Sequence, residues 1–222
     1  MTVAYCLVKC NYDKQWNVYE VAEGSSDIDN IRRLGRTWIE KDVIWFDYTM
    51  SGIEFILDAE ECQISFISDM PDEENKHAIV GVFLDGNEEE LERIEINEKN
   101  KVYVLKNTSN SQVTVKVVKL SEAKRGTVGI ENIQVRGGEA CIKATEEKEL
   151  LFEFVGDSIT CGMGNEGVWG EDFSTQTENG NRTFAAITSR YFDADLSCVC
   201  YSGIGMIRRE EENYTFCVPE MY

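Results

Sequence analysis

Between residues 38 and 135 the apolar positions recur at every second residue or in short runs, and turn-forming residues separate them. Residues 43–48, 53–57 and 62–67 read this way, followed by 78–84, 101–105 and 113–118. The separators carry Gly, Asn, Asp and Pro, as in Met50-Ser51-Gly52, Met70-Pro71-Asp72 and Asp85-Gly86-Asn87, and again over 106–110. Short β-branched segments at this spacing predict an all-β sandwich. Asp85-Gly86 adds a two-residue hairpin signal.

Near Gly137-Gly138 the texture changes. A charged stretch over 145–149 leads into a compact apolar run, 150–155, which stops at Gly156-Asp157-Ser158. Residues 182–192 then place Phe184, Ala185, Ile187, Thr188 and Tyr191 on one helical face, with Asn179-Gly180-Asn181 as the start signal. A second strand follows at 196–201 and runs into Ser202-Gly203. Strand, helix and strand in this order predict a βαβ unit, hence a parallel sheet and a second domain. The chain shows no internal repeat and no low-complexity segment.

The 222 residues suffice for one large domain or two modest ones, and 42% hydrophobic with 28% charged residues suits a globular protein. A net charge of −19, with no basic segment denser than residues 31–36, argues against nucleic acid as a partner. No apolar run approaches the ~18–20 residues that cross a bilayer, so no membrane partner is expected. Residues 1–10 lack a basic leader, an apolar stretch and a small-residue cleavage site, so a cytoplasmic protein is expected unless its true start lies upstream. Eight cysteines are scattered, mostly in apolar segments, and read as buried reduced thiols. With a single histidine, His77, and no CxxC pair, they do not spell a zinc site, and no cofactor or metal is expected. The oligomeric state is not legible.

Candidate chemistry sits where the two parallel strands end, the place where ligands gather in open parallel sheets. Gly156-Asp157-Ser158-Ile159-Thr160 and Ser202-Gly203-Ile204-Gly205 both join glycines to a serine. A hydroxyl among closely approaching backbone N–H groups can act as a nucleophile with an oxyanion hole. The same Gly156-Asp157-Ser158 also fits a plain tight turn with a capping aspartate. The α/β-hydrolase elbow needs a glycine where this chain has Thr160. Gly162-Met163-Gly164-Asn165-Glu166-Gly167 matches GxGxxG, but it lies beyond the strand-to-helix turn that a dinucleotide site requires.

The string from Phe154 to Asn165, FVGDSITCGMGN, resembles the first block of the SGNH (GDSL-type) hydrolases and, more closely, of carbohydrate esterase family 2. Glu171-Asp172-Phe173-Ser174, Thr183-Phe184-Ala185-Ala186 and Tyr201-Ser202-Gly203-Ile204-Gly205-Met206 follow in that family's order. Upstream, Leu34-Gly35-Arg36-Thr37-Trp38, Val82-Phe83-Leu84-Asp85-Gly86 and Lys119-Leu120-Ser121-Glu122-Ala123 resemble its N-terminal jelly-roll domain. The resemblance implies a jelly-roll sandwich over residues 1–147 and, over 148–222, the start of an α/β SGNH-hydrolase domain of flavodoxin-like, parallel-sheet type. It implies deacetylation of acetylated xylan- or mannan-like carbohydrates through an acyl-serine intermediate. Ser158 would be the nucleophile and one oxyanion donor, Gly203 a second donor with Gly205 as the alternative, and Asp157 the residue that shapes the nucleophile loop. Cys161 would be a packing residue.

Two family blocks have no counterpart here, a GxND block with an asparagine donor and a late block with the catalytic histidine. His77 lies between Lys76 and Ala78 at a predicted strand edge, outside any motif. The expectation is therefore a truncated chain that is inactive by itself. The competing expectation is a non-catalytic carbohydrate-binding β-sandwich protein.

Overall fold

The computed structural model describes residues 15–69, 76–109, 111–137, 140–208 and 216–222. Cys6, Cys10 and the Met70-Pro71-Asp72 separator lie outside these residues. The described chain opens with β1 (Trp16–Glu20), β2 (Arg32–Leu34), β3 (Thr37–Glu40), β4 (Val43–Phe46), β5 (Gly52–Leu57) and β6 (Glu61–Ser68). It continues through β7 (Ala78–Leu84), β8 (Glu92–Ile96), β9 (Asn100–Lys106), β10 (Val113–Lys119), β11 (Val128–Arg136) and β12 (Ile142–Ala144). These twelve strands form two six-stranded antiparallel sheets. One runs β3-β4-β11-β6-β9 with β1 also on β11, and the other β12-β5-β10-β7-β8 with β2 also on β5. The β-sandwich expected from the hydrophobic pattern is present.

Alternation explains the packing. Cys62, Ile64 and Phe66 of β6 face inward, as do Ile53, Phe55 and Leu57 of β5 and Val113, Val115 and Val117 of β10. Together they fill one core between the sheets. β7 does not alternate: Ala78, Val80 and Val82 join that core, while Ile79 and Phe83 face the other way into a second cluster with Met50, Val118 and Leu120. That cluster continues into Leu196 of the following unit, so the outer face of this sheet is itself covered. A strand buried on both faces needs an unbroken apolar run, and residues 78–84 supply it.

Asp85 and Gly86 both adopt positive φ, +52° and +69°, and Asn87 N–H closes the turn on Leu84 C=O at 3.0 Å. The expected two-residue hairpin does not form, however, because pairing with β8 resumes only at Val82 and Glu92. The turn is local chemistry; the register is set by Ile94 and Ile96 reaching the core.

The later part contains β13 (Leu150–Gly156), α1 (Ser158–Cys161), α2 (Phe184–Tyr191), β14 (Ala194–Cys200) and α3 (Val218–Met221). β13 and β14 pair in parallel, from Leu150 opposite Ala194 to Gly156 opposite Cys200. The helix expected from residue 182 begins two residues later. Thr183 is its cap, its hydroxyl accepting from Ala186 N–H, whereas Asn179 caps a separate 3-10 turn over Gly180–Arg182. The Asn179-Gly180-Asn181 signal is used for docking. Gly180 N–H donates to Leu120 C=O at 2.8 Å, and Asn181 donates to Glu88 C=O at 2.7 Å. A Cβ on Gly180 would overlap Thr49 Oγ1, so this close approach requires glycine.

Candidate active site

The parallel register sets the geometry of the candidate residues. Gly156 and Cys200 are level at the ends of their strands, and Tyr201 N–H donates to Gly156 C=O at 3.2 Å. Ser158 and the Ser202-Gly203 loop therefore leave the sheet from the same edge. Ser202 Oγ donates to Met163 Sδ at 3.3 Å, tying the second loop to the first.

Asp157 is the N-cap of α1, and its Oδ1 accepts from Ile159 N–H at 3.0 Å. The carboxylate is thus occupied with the turn that presents Ser158. Ser158 is the first helical residue and half-buried, and among the described residues its Oγ has no hydrogen-bonding base. Gly162 closes the one-turn helix in the left-handed conformation, φ +86°. The GxGxxG string forms the turns after this helix, with Asn165 N–H on Gly162 C=O and Gly167 N–H on Gly164 C=O.

Gly203 has φ +77° and is exposed, a conformation that glycine adopts without strain. Gly205 is placed differently: it is half-buried, its C=O accepts from Val218 N–H at 3.1 Å, and a Cβ on it would overlap Arg208 C=O.

His77 is far removed in its contacts. Its Nδ1 lies 2.6 Å from Glu95 Oε1, and Glu95 Oε2 accepts from Gln176 Nε2 at 3.1 Å. No described contact joins His77 to Ser158.

Behind the strand ends lies a buried thiol cluster, Cys161, Cys198 and Cys200, packed on Ala185 and Phe154. Burial pushes the Cys198 thiol up to about 12, and a hydrogen bond with Cys161, together with burial, pushes Cys200 well above its ordinary value. All six described cysteines are buried, and no disulfide joins one of them to another.

Sequence reasoning missed the polar residues beneath the second loop. Glu122 and Lys119 are fully buried, and Lys119 Nζ donates to Asp47 C=O at 2.7 Å and Glu122 C=O at 2.9 Å. Glu122 Oε2 accepts from Ser202 N–H at 2.7 Å, and Lys124 Nζ donates to Ser202 C=O at 2.6 Å. Glu178 is buried beside them, and neither of its carboxyl oxygens makes a well-formed hydrogen bond among the described residues. Burial, with Glu122 close by, raises its carboxyl to about 8. The available signal was Lys119-Leu120-Ser121-Glu122-Ala123, charges set directly on the end of an apolar strand.

An antiparallel β-sandwich docked on a parallel strand–helix–strand unit, with a serine at the strand end, defines the class of protein. The family model described as carbohydrate esterase 2 N-terminal matches residues 33–145, and the chain belongs to that family. Over 89 residues, 40% of this chain and 11% of the relative, it is 38% identical to a protein named cellulase/esterase CelE from Acetivibrio thermocellus. Over 210 residues it is 23% identical to a Cellvibrio japonicus protein named acetylxylan esterase / glucomannan deacetylase, covering 94% of this chain and 56% of the relative. The solved structure of a family two carbohydrate esterase from Cellvibrio japonicus superposes with a TM-score of 0.81 at 21% identity, over 94% of this chain and 59% of that one. The chain thus spans little more than half the length of the second relative, and a ninth of the first.

Proposed function

We propose that the chain carries the nucleophile portion of an SGNH-type serine esterase that removes acetyl groups from xylan- or mannan-like carbohydrates. In this reading residues 1–147 are the jelly-roll domain and 148–222 the beginning of the hydrolase domain. The supporting observation is the parallel register of Gly156 with Cys200, after which Ser158 and Ser202-Gly203 both leave the sheet at the same end. The name of the second relative, acetylxylan esterase / glucomannan deacetylase, supports the substrate class, and the first relative's name supports esterase chemistry.

Ser158 Oγ would attack the ester carbonyl carbon while a base takes its proton. The oxyanion would be held by the N–H groups of Ser158 and Gly203, with Asp157 holding the loop in shape. The sugar hydroxyl would leave with a proton, and water would then cleave the acyl-serine to release acetate. A serine hydroxyl without a base is a weak nucleophile. Within the 222 residues the only histidine is engaged with Glu95, and in this reading it does not serve Ser158. The test is hydrolysis of p-nitrophenyl acetate and acetylated xylan by the chain and by Ser158→Ala. Slow, equal rates are expected; robust turnover abolished by Ser158→Ala would place a working base within these residues.

A second reading, carbohydrate binding without turnover, is favoured by one feature. Trp169 is wholly exposed beside an open groove of about 660 Å³ that Met163, Val168 and Phe173 also line. An exposed indole face next to polar groups suits a sugar ring. Binding of xylan or mannan oligosaccharides that is lost in Trp169→Ala would support it.

A further inference from the structure

We propose that the sandwich sets the direction of the Gly203 N–H, with Lys124 and Glu122 as positioning residues for that oxyanion donor. This rests on the assignment of Gly203 made above. Two successive contacts from the turn after β10 take hold of one residue of the second loop, Glu122 Oε2 on the Ser202 N–H at 2.7 Å and Lys124 Nζ on the Ser202 C=O at 2.6 Å. The Ser202 C=O and the Gly203 N–H belong to the same peptide unit. No cis peptide bond occurs among the described residues, so the two groups point in opposite directions in one plane. An ammonium fixed on the carbonyl therefore aims the N–H away from the sandwich. It also polarises the amide, which strengthens the N–H as a donor.

The clamp is itself held. Lys124 lies 4.7 Å from the Tyr201 ring centroid, directly before Ser202. Glu122 Oε1 is 3.3 Å from Arg125 Nη2, Arg125 stacks on Phe173 at 4.5 Å, and Lys119 donates to the Glu122 carbonyl. Gly203 supplies the left-handed φ that this peptide orientation needs. Preorganised donors are the ones that stabilise a developing charge. The jelly-roll thereby becomes part of the candidate active site rather than an appended module.

The experiment uses the 222-residue chain, labelled with ¹⁵N, and reads the Ser202 and Gly203 amides. Lys124→Met keeps the stem and removes the donor; Lys124→Arg restores it. Glu122→Ala removes the acceptor, and Glu122→Gln retains one. Amide exchange at 202–203 should rise about tenfold or more in Lys124→Met and Glu122→Ala, and the Gly203 ¹⁵N resonance should shift. Lys124→Arg and Glu122→Gln should return both readouts toward the parent, while β6 and β11 amides stay unchanged in all four. Unchanged exchange and an unmoved Gly203 resonance in Lys124→Met would overturn the proposal, even if Glu122→Ala fails to fold. The exchange readout needs no turnover, so its failure would remove the clamp and leave the esterase reading as it stands, and the two fail separately.

Discussion

His77 Nδ1 sits 2.6 Å from Glu95 Oε1 across the β7–β8 pair, and that carboxylate is in turn held by Gln176. The ring is mostly covered, with 13% of its side chain exposed. The ring backs Glu95, which joins the sandwich to the loop before α2 in company with Arg93, whose guanidinium donates to Gln176 C=O and Glu178 C=O at 3.1 and 3.0 Å.

A substitution of His77 should therefore be silent in chemistry. His77→Gln is expected to leave any ester hydrolysis unchanged and to cost no more than about 1 kcal/mol in urea unfolding. Loss of a Ser158-dependent rate in His77→Gln would make this histidine the base after all.

Glu178 gives a pH dependence with a definite sign. Its carboxyl rests at about 8 in the folded protein, against 4.5 as its ordinary value. Between these the folded state keeps a proton that the unfolded chain has released, so stability falls as pH rises through that window. Glu178→Gln should be more stable than the parent by ~1–3 kcal/mol at pH 9, with a small difference at pH 5. Superimposable melting-temperature profiles of the two proteins from pH 5 to 9 would count against a buried, protonated Glu178.

The docking of the later unit on the sandwich should be the weak joint. Leu151, Ile159, Phe184, Ile187 and Tyr191 of this unit remain exposed, and it meets Thr49 and Leu120 through Gly180. Limited proteolysis is expected to cut within 149–222 before it cuts the sandwich strands. Gly180→Ala should speed that early cleavage by ~tenfold, because a methyl group there pushes against Thr49. Equal protection of both parts, in parent and variant alike, would refute this.

The thiols offer a solvent-access test of the same unit. Cys161, Cys198 and Cys200 are almost wholly buried, and the last two have thiols raised by their surroundings. At pH 8 they should react with a disulfide reagent only on the timescale of opening, and at once in denaturant. Native-state labelling of Cys198 as fast as in urea would show that the cluster is not packed.

Much of the fold was legible because it follows from local periodicity. Strict alternation marked β5, β6 and β10, and the apolar run at 150–155 ending in Gly156-Asp157-Ser158 marked β13 and its turn. Strands β1, β2, β3, β8, β11 and β12 were not marked: β2 and β12 are three residues long and become strands by pairing with β5, while β11 takes its central place from its partners β1, β4 and β6. The start of α2 was misplaced because Asn179-Gly180-Asn181 answers to Thr49, Glu88 and Leu120, which are remote in sequence.

Ser158 illustrates the division most closely. Its sequence neighbours alone decide that it follows a strand, is presented by a capped turn and lies next to glycines, since each of these depends on bonds within a few residues. What stands beside it is another matter. The level ends of β13 and β14, the grip of Glu122 and Lys124 on Ser202, the burial of Glu178 and the engagement of His77 with Glu95 all join residues 18 to 80 positions apart. Such contacts depend on how two surfaces fit, and local preference carries no record of them.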